Sequence, residues 1–271
     1  MSDSPKAFDQ TQPRPAPATP LNPRRRGVVV GASGGIGAAL SRKLAREGFT
    51  LALVDRNKNA LQSLCDEINK SAGETRALIY EHDVTKYDSV ADTAQRVIAD
   101  LGGLDTFVYI AGVIYFPAMD EFNFAEDHKM VEVNLLGAMA WMSVVAPLFQ
   151  SAKGGQIVGV SSVAGDRGRI GNPGYNASKA GLTNYLEGLR NRLTRHGVNV
   201  LTVKPGMVKT DMLKLPGAPK PMLALEPQQV ADLIWDGMKQ RKQTIYVAGI
   251  WKWVMLVIRH IPSAIFRRLS F

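Results

Sequence analysis

From residue 28 onward, short unbroken apolar runs alternate with longer stretches in which apolar residues recur at helical spacing. The runs predict strands over 28–30, 51–54, 77–80, 106–110, 156–160, 199–203 and 244–248. The periodic stretches predict a helix ending near Glu47 and others over 60–69, 89–101, 125–149, 175–195 and 227–238. Strands that lack polar alternation are buried on both faces, and strands joined through helices run parallel. The expected fold is therefore α/β: a Rossmann-type doubly wound parallel sheet, three-layer α/β/α, as a single domain over 27–248.

The pattern stops at both ends. Residues 1–26 hold six prolines before Arg24 and no apolar periodicity, so they predict a disordered Pro/Arg-rich tail. Residues 249–271 are apolar and basic, a C-terminal extension beyond the last predicted strand. The segment from Pro205 to Ala224 is rich in Pro, Gly, Lys and Met and predicts a mobile flap. The net charge of +9 belongs to the ends: residues 1–26 carry +3, residues 27–236 carry −1, and residues 237–271 carry +7 with no acid. A neutral body argues against nucleic acid as a partner and leaves an anionic surface as the natural partner of the carboxyl end. Cys65 is the only cysteine, which excludes an internal disulfide framework and suits a reducing, cytoplasmic setting. The amino terminus has no secretory h-region, and no run of spanning length is expected.

Gly31-Ala32-Ser33-Gly34-Gly35-Ile36-Gly37 follows the first strand and opens the first helix, where backbone N–H groups and the positive helix end receive a dinucleotide pyrophosphate. The spacing is GxxxGxG rather than GxGxxG. Asp55 ends the second strand 18 residues past Gly37, where an acid accepts the adenosine ribose hydroxyls and repels a 2′-phosphate. That favours NAD, while Arg56 could receive the phosphate of NADP. The same glycine loop also fits the GxSxG nucleophile elbow of hydrolases through Ser33, but no oxyanion donor precedes it and only His196 is placed to serve as a base. His82, His128, His196 and His260 have neither HExxH nor cysteine spacing, so no metal site is expected and surface or capping roles suffice for them.

Tyr175-Asn176-Ala177-Ser178-Lys179 sets a phenol and an ammonium one turn apart on a helix opened by Asn172-Pro173-Gly174. A nearby cation stabilises a phenolate and lowers its pKa; Tyr and Lys four apart also occur often as simple packing. In company with other motifs, residues 27–248 resemble the short-chain dehydrogenase/reductase family. YxxxK matches Tyr175 and Lys179, the serine thirteen residues earlier matches Ser162, and the helical asparagine matches Asn134 in Val133-Asn134-Leu135-Leu136-Gly137. The resemblance implies catalysis by Asn134, Ser162, Tyr175 and Lys179. Tyr175 would be the acid/base, Lys179 would lower its pKa and bind the nicotinamide ribose, Ser162 would hold the substrate oxygen, and Asn134 would carry a relay water. It also implies cofactor contacts from Gly31, Ser33, Gly35, Ile36, Gly37, Asp55, Arg56, Asp83, Val84, Ala111, Gly112, Tyr175, Lys179, Pro205, Gly206, Val208 and Thr210. Two departures stand out: Tyr109-Ile110-Ala111-Gly112 where the family usually has NNAG, and Val30 where it usually has Thr. They leave room for a second class of function, a non-catalytic NAD-binding sensor or scaffold.

In the extension, residues 250–258 are apolar except for Lys252, and Ile265, Phe266, Arg267, Arg268, Leu269 and Phe271 follow Pro262. Either it packs on its own body or a sister subunit and roofs the substrate pocket, or it lies in an anionic membrane interface at the cytoplasmic face. Met212, Leu213, Leu215, Met222, Leu223 and Leu225 would line the flap for a lipid-like or steroid-like alcohol or ketone. Helix pairing as in the family, with the apolar stretch 135–149, implies a homodimer or homotetramer.

Overall fold

The computed structural model describes residues 25–220 and 223–269. Strands β1 (Arg25–Val30), β2 (Phe49–Asp55), β3 (Ala77–Glu81), β4 (Thr106–Tyr109), β5 (Gln156–Val160), β6 (Asn199–Pro205) and β7 (Thr244–Val247) form one parallel sheet in the order β3-β2-β1-β4-β5-β6-β7. The helices are α1 (Gly35–Arg46), α2 (Lys58–Ala72), α3 (Val90–Leu101), α4 (Phe124–Val131), α5 (Gly137–Ala152), α6 (Pro173–Leu193) and α7 (Pro227–Lys239), then α8 (Ile250–His260) and α9 (Ser263–Phe266). This is the expected single doubly wound domain. Side chains of one sheet face pack with α1, α2 and α7, and those of the other with α3, α5 and α6, giving two cores separated by the sheet.

Element ends follow capping chemistry. Asn57 Oδ1 accepts the Ala60 N–H to start α2, and Gly73 ends it at φ +68°. Pro173 stands in the first turn of α6 behind Asn172, whose Oδ1 accepts the Tyr175 N–H at 3.0 Å. The predicted tail boundary moves: Arg25 and Arg26 belong to β1, because the Arg26 guanidinium grips the Asp105 carboxylate through two 2.9 Å bonds and Arg25 lies over the Phe49 and Trp235 rings. The remaining tail residues, 1–24, lie outside the described residues, as do Met222 and Phe271.

The stretch predicted as one helix over 125–149 is α4 and α5 joined by a π-helical turn, residues 132–136. Such a turn releases backbone carbonyls from the regular ladder. Tyr109, wholly buried, takes one of them, its hydroxyl donating to the Val133 carbonyl at 2.6 Å. The side chain that replaces the family's asparagine therefore fills its space and braces the turn that carries Asn134. Contrary to the expectation of no run of spanning length, 124–152 is long and apolar enough to cross a bilayer. Its apolarity is that of a core helix: Trp141, Met142, Val145 and Phe149 are buried, with Trp141 stacked on Phe107. His82 is likewise buried rather than superficial, edge-on to Trp141, with burial pushing its pKa down.

The backbone after β5 lies directly on α6. A Cβ added at Gly165 would fall 2.7 Å from the Lys179 backbone carbon and carbonyl oxygen, so only glycine lets the two segments touch. Gly165→Ala is expected to cost about 2 kcal/mol as strain in the packed contact. The melting temperature should fall by roughly 4 to 8 °C in calorimetry; an unchanged melting temperature would refute the contact.

Candidate active site

The doubly wound order reverses between β1 and β4, and a crevice opens above their carboxyl ends. There the chain after β1 turns at Gly31 (φ +88°), whose N–H donates to the Val54 carbonyl, while the Ile110 and Ala111 N–H groups both donate to the Val30 carbonyl. A Cβ on Gly31 would meet the Ala111 nitrogen at 2.4 Å, and one on Gly37 would meet the Gly31 oxygen at 2.0 Å. Helix α1 begins after Gly34, which offers no side-chain cap, and has no acid in its first turn, so the partial positive charge of its leading N–H groups is uncompensated. Thr210, carried over from β6, packs its methyl on Gly35, and a cleft of about 360 Å³ lined by Gly35, Lys209, Thr210, Asp211, Leu213 and Lys214 lies between flap and loop. An uncapped helix start with glycines where a Cβ would collide is a cradle for a pyrophosphate, and the residues fit that group.

Asp55 closes β2 beside this cradle, its carboxylate accepting the backbone N–H groups of Ser33 and Asn57, both at 3.2 Å. Arg56 is exposed next to it. Asp83 turns inward on the Thr85 N–H and hydroxyl, which hold its carboxyl below the usual range, and Val84 is buried. Ser33 has the Asp55 carboxylate at its N–H; His82, His128 and His260 are engaged by Ser89, Glu132 and the Leu256 carbonyl. His196, the candidate base of the nucleophile-elbow reading, lies in the turn Thr194–His196 before β6, at the amino ends of the strands, whereas Ser33 follows the carboxyl end of β1, so that reading has no base. Among the described residues no cluster of metal-binding side chains occurs.

Lys179 is buried on α6 and its Nζ donates to the Val160 carbonyl, the end of β5, at 3.0 Å. Tyr175 lies one turn earlier on the same face, its ring centroid 5.8 Å from that ammonium. Asn134 is fully buried; its Oδ1 accepts the Val113 N–H at 2.7 Å, and its Nδ2 donates to the Val113 carbonyl and to Ser178 Oγ, both at 3.0 Å. Gly112 lies between Asn134 and Lys179: a Cβ there would stand 3.2 Å from Asn134 Oδ1 and 3.4 Å from Lys179 Nζ. Ser162 caps the short turn Val163–Asp166, its Oγ accepting the Ala164 N–H at 3.1 Å, and its hydroxyl lies near enough to Tyr175 to pull the phenol's pKa down. The four side chains expected to act together thus meet beside the cradle. Ser161 is the structural neighbour, its hydroxyl on the Lys179 carbonyl and Thr183.

Burial raises the Tyr175 phenol, and the Ser162 hydroxyl and the Arg169 guanidinium pull it back. The Lys179 ammonium is turned to Val160, and burial depresses it to about 8. Sequence reasoning did not find Arg169, half-buried before α6, or Ser178, which anchors the Asn134 amide. Ser178 sits inside the YxxxK motif and had a signal there; Arg169 belongs to no motif.

Behind Ser162 lies a second network that no spacing announces. Asp166 accepts Lys204 Nζ at 2.5 Å and the Tyr246 hydroxyl at 2.7 Å, with both ion-pair side chains nearly sealed from solvent. It ties the serine turn to the ends of β6 and β7. The flap after β6 is irregular but anchored, with Val208 bridged to Leu225 and Gly217 against Phe116. Pro205 is buried under Ser162, and Gly206 lies against the Trp251 indole of α8.

The sequence profile described as short chain dehydrogenase matches residues 26–219. An uncharacterized oxidoreductase of Myxococcus xanthus is 36% identical over 214 residues, covering 79% of this chain and 83% of that protein. The alcohol dehydrogenase of the archaeon Thermococcus sibiricus, solved with 5-hydroxy-NADP, superposes with a TM-score of 0.75 at 25% identity, over 84% of this chain and 98% of that one. A short chain dehydrogenase/reductase of Burkholderia phymatum, solved with NAD, shares the fold at a TM-score of 0.77 and 22% identity, over 86% and 92% of the two chains. The chain belongs to the short chain dehydrogenase family and is an oxidoreductase of that family.

Proposed function

We propose that this oxidoreductase interconverts an alcohol and a ketone with a nicotinamide dinucleotide, with NAD preferred over NADP, and that its substrate is apolar. The observation that carries the reading is the pairing of Tyr175 with buried Lys179 one turn on, the ammonium 5.8 Å from the phenol ring centroid, with Ser162 and buried Asn134 beside them at the mouth of an uncapped glycine cradle. The alcohol dehydrogenase of Thermococcus, with its nicotinamide analogue, is similar over nearly its whole length. The bound cofactor supplies or receives the hydride. Gly31, Gly35, Ile36 and Gly37 hold its pyrophosphate, Asp55 takes ribose hydroxyls, and Lys179 the second ribose. Tyr175 donates its phenolic proton to the carbonyl oxygen during reduction and recovers it during oxidation, while the Ser162 hydroxyl holds that oxygen. A phenol kept high by burial is a competent proton donor at neutral pH, and Arg169 and Ser162 stabilise the phenolate left behind. Asn134 fixes Val113 and Ser178 around the ammonium.

Apolar specificity is supported by the loops above the strands. Phe122 and Met119 after β4, Ile170 after β5, and Met212, Leu215 and Leu223 after β6 are all exposed at the carboxyl ends of the sheet. Large side chains left bare around a crevice are covered by a ligand of similar character.

Tyr175→Phe should retain cofactor binding in calorimetry and lose about 10² to 10⁴ in kcat for apolar ketones; full activity would remove the proton donor from this reading. Asp55→Ser should move the ratio of kcat/KM for NADPH over NADH upward by roughly ten-fold, and a ratio that stays put would leave the NAD preference unsupported. Lys179 titrates at about 8 when folded, below its ordinary 10.5. In the window between these values the unfolded chain holds a proton the folded chain has shed, so this group's contribution to stability grows with rising pH. Its positive charge in the site is lost over the same window, while Tyr175 stays protonated. The kcat/KM for reduction should therefore fall above about pH 8; a profile flat to about pH 10 would show that the ammonium charge is not used.

A further inference from the structure

Helix α8 is apolar on both of its faces. Met255 and Ile258 are buried with Trp251 and Val254 against Val163 and Tyr246, directly behind the Ser162 turn. Arg167 fastens the same helix by donating to the Ile258 carbonyl and, at 2.7 Å, to the Ile261 carbonyl, and its guanidinium lies 3.8 Å over the Phe266 ring of α9. Trp251 is locked against Gly206, where a Cβ would come within 2.1 Å of the indole nitrogen. The extension therefore packs on its own body, as one of the two sequence readings held. Its docked face is used up, and the opposite face cannot fold inward.

That opposite face carries Ile250, Trp253, Leu256 and Val257, exposed at 55%, 64%, 47% and 65%. At 100° per residue these four fall on one side of the helix. Lys252 and Arg259 flank them, and the Lys252 ammonium stands 5.6 Å from the Trp253 ring centroid. Ile265 in α9 and Leu269 just past its end are also exposed, beside exposed Arg267 and Arg268. From Gly237 to the end of the chain no acid occurs.

We propose that the outer face of α8 and α9 is a docking surface for an anionic lipid bilayer, which it enters to headgroup depth without spanning. Three features select this occupant. The apolar residues include a Trp, whose amphipathic ring favours the water-lipid boundary. The basic residues stand beside them rather than opposite, so that apolar side chains enter the acyl boundary while Lys and Arg reach the headgroups. The absence of any acid sets like charge against like if two copies of this face meet, whereas anionic headgroups complement it. Because the inner face of α8 lies on the Ser162 turn, the lipid surface is about one helix diameter, ~10 Å, from the site. This inference does not rest on the proposed reaction.

The test is flotation of the full chain with phosphatidylcholine vesicles, alone or containing phosphatidylglycerol. Recovery with the anionic vesicles should exceed that with neutral ones by roughly ten-fold or more and should drop as salt is raised. Trp253→Glu combined with Val257→Glu should lower it by at least about ten-fold, with the wild-type circular dichroism spectrum and melting temperature retained. Lys252→Glu with Arg268→Glu, which spares the apolar residues, should also reduce anionic binding. Failure of the wild-type chain to float with anionic vesicles overturns the proposal. So does a pattern in which the glutamate pair halves the particle mass in solution but leaves vesicle recovery unchanged, since the face would then be an interface between two copies of this chain.

Discussion

The site hangs on one buried hydrogen bond, from the Lys179 ammonium to the carbonyl that ends β5. A lysine drawn out of water loses hydration that a single carbonyl only partly replaces, which is why its pKa drops to about 8. The cost is borne because the surroundings leave the side chain nowhere else to go. Gly165 brings the turn after Ser162 onto the Lys179 backbone, Ser161 holds the Lys179 carbonyl, and the Asn172 cap sets where α6 begins. Helix and strand are locked in register, so phenol, serine and ammonium hold their positions together.

Around this contact the molecule is braced from three directions. The π-helical turn and Tyr109 present Asn134 from one side. Asp166, between Lys204 and Tyr246, draws the ends of β6 and β7 against the serine turn from another. Arg167 and the inner face of α8 close the third. A buried ion pair such as Lys204 with Asp166 adds little net stability over an apolar pair, but a group removed from it leaves a stranded charge. Its effect here is to hold three strand ends in one arrangement, and with them the relative positions of Ser162 and Tyr175.

The extension links the site to its exterior. Its docked face reaches Val163 and Gly206, and its bare face carries apolar and basic side chains without acids. One short helix therefore packs on the serine turn with one face and carries this surface character on the other. The exposed residues of the loops after β4, β5 and β6 stand at the same end of the sheet. An apolar substrate and an apolar setting would be consistent with each other there.

The strands and helices were legible in the chain because burial on both sheet faces demands unbroken apolar runs, and because GxxxGxG and YxxxK are local patterns that one element presents whole. The boundary at Asn172 was legible for the same reason, capping being a matter of neighbours, while α2 runs past the expected 60–69 to its caps Asn57 and Gly73. What depends on distant partners was not. Nothing near Arg26 in sequence announces Asp105, nothing near Asp166 announces Lys204 and Tyr246, and nothing near Arg169 places it at the phenol. The four-residue spacing of Tyr175 and Lys179 set which helix face the two side chains share, not which way the charged end turns. Tertiary packing decided that, by burying the lysine and offering its ammonium the Val160 carbonyl.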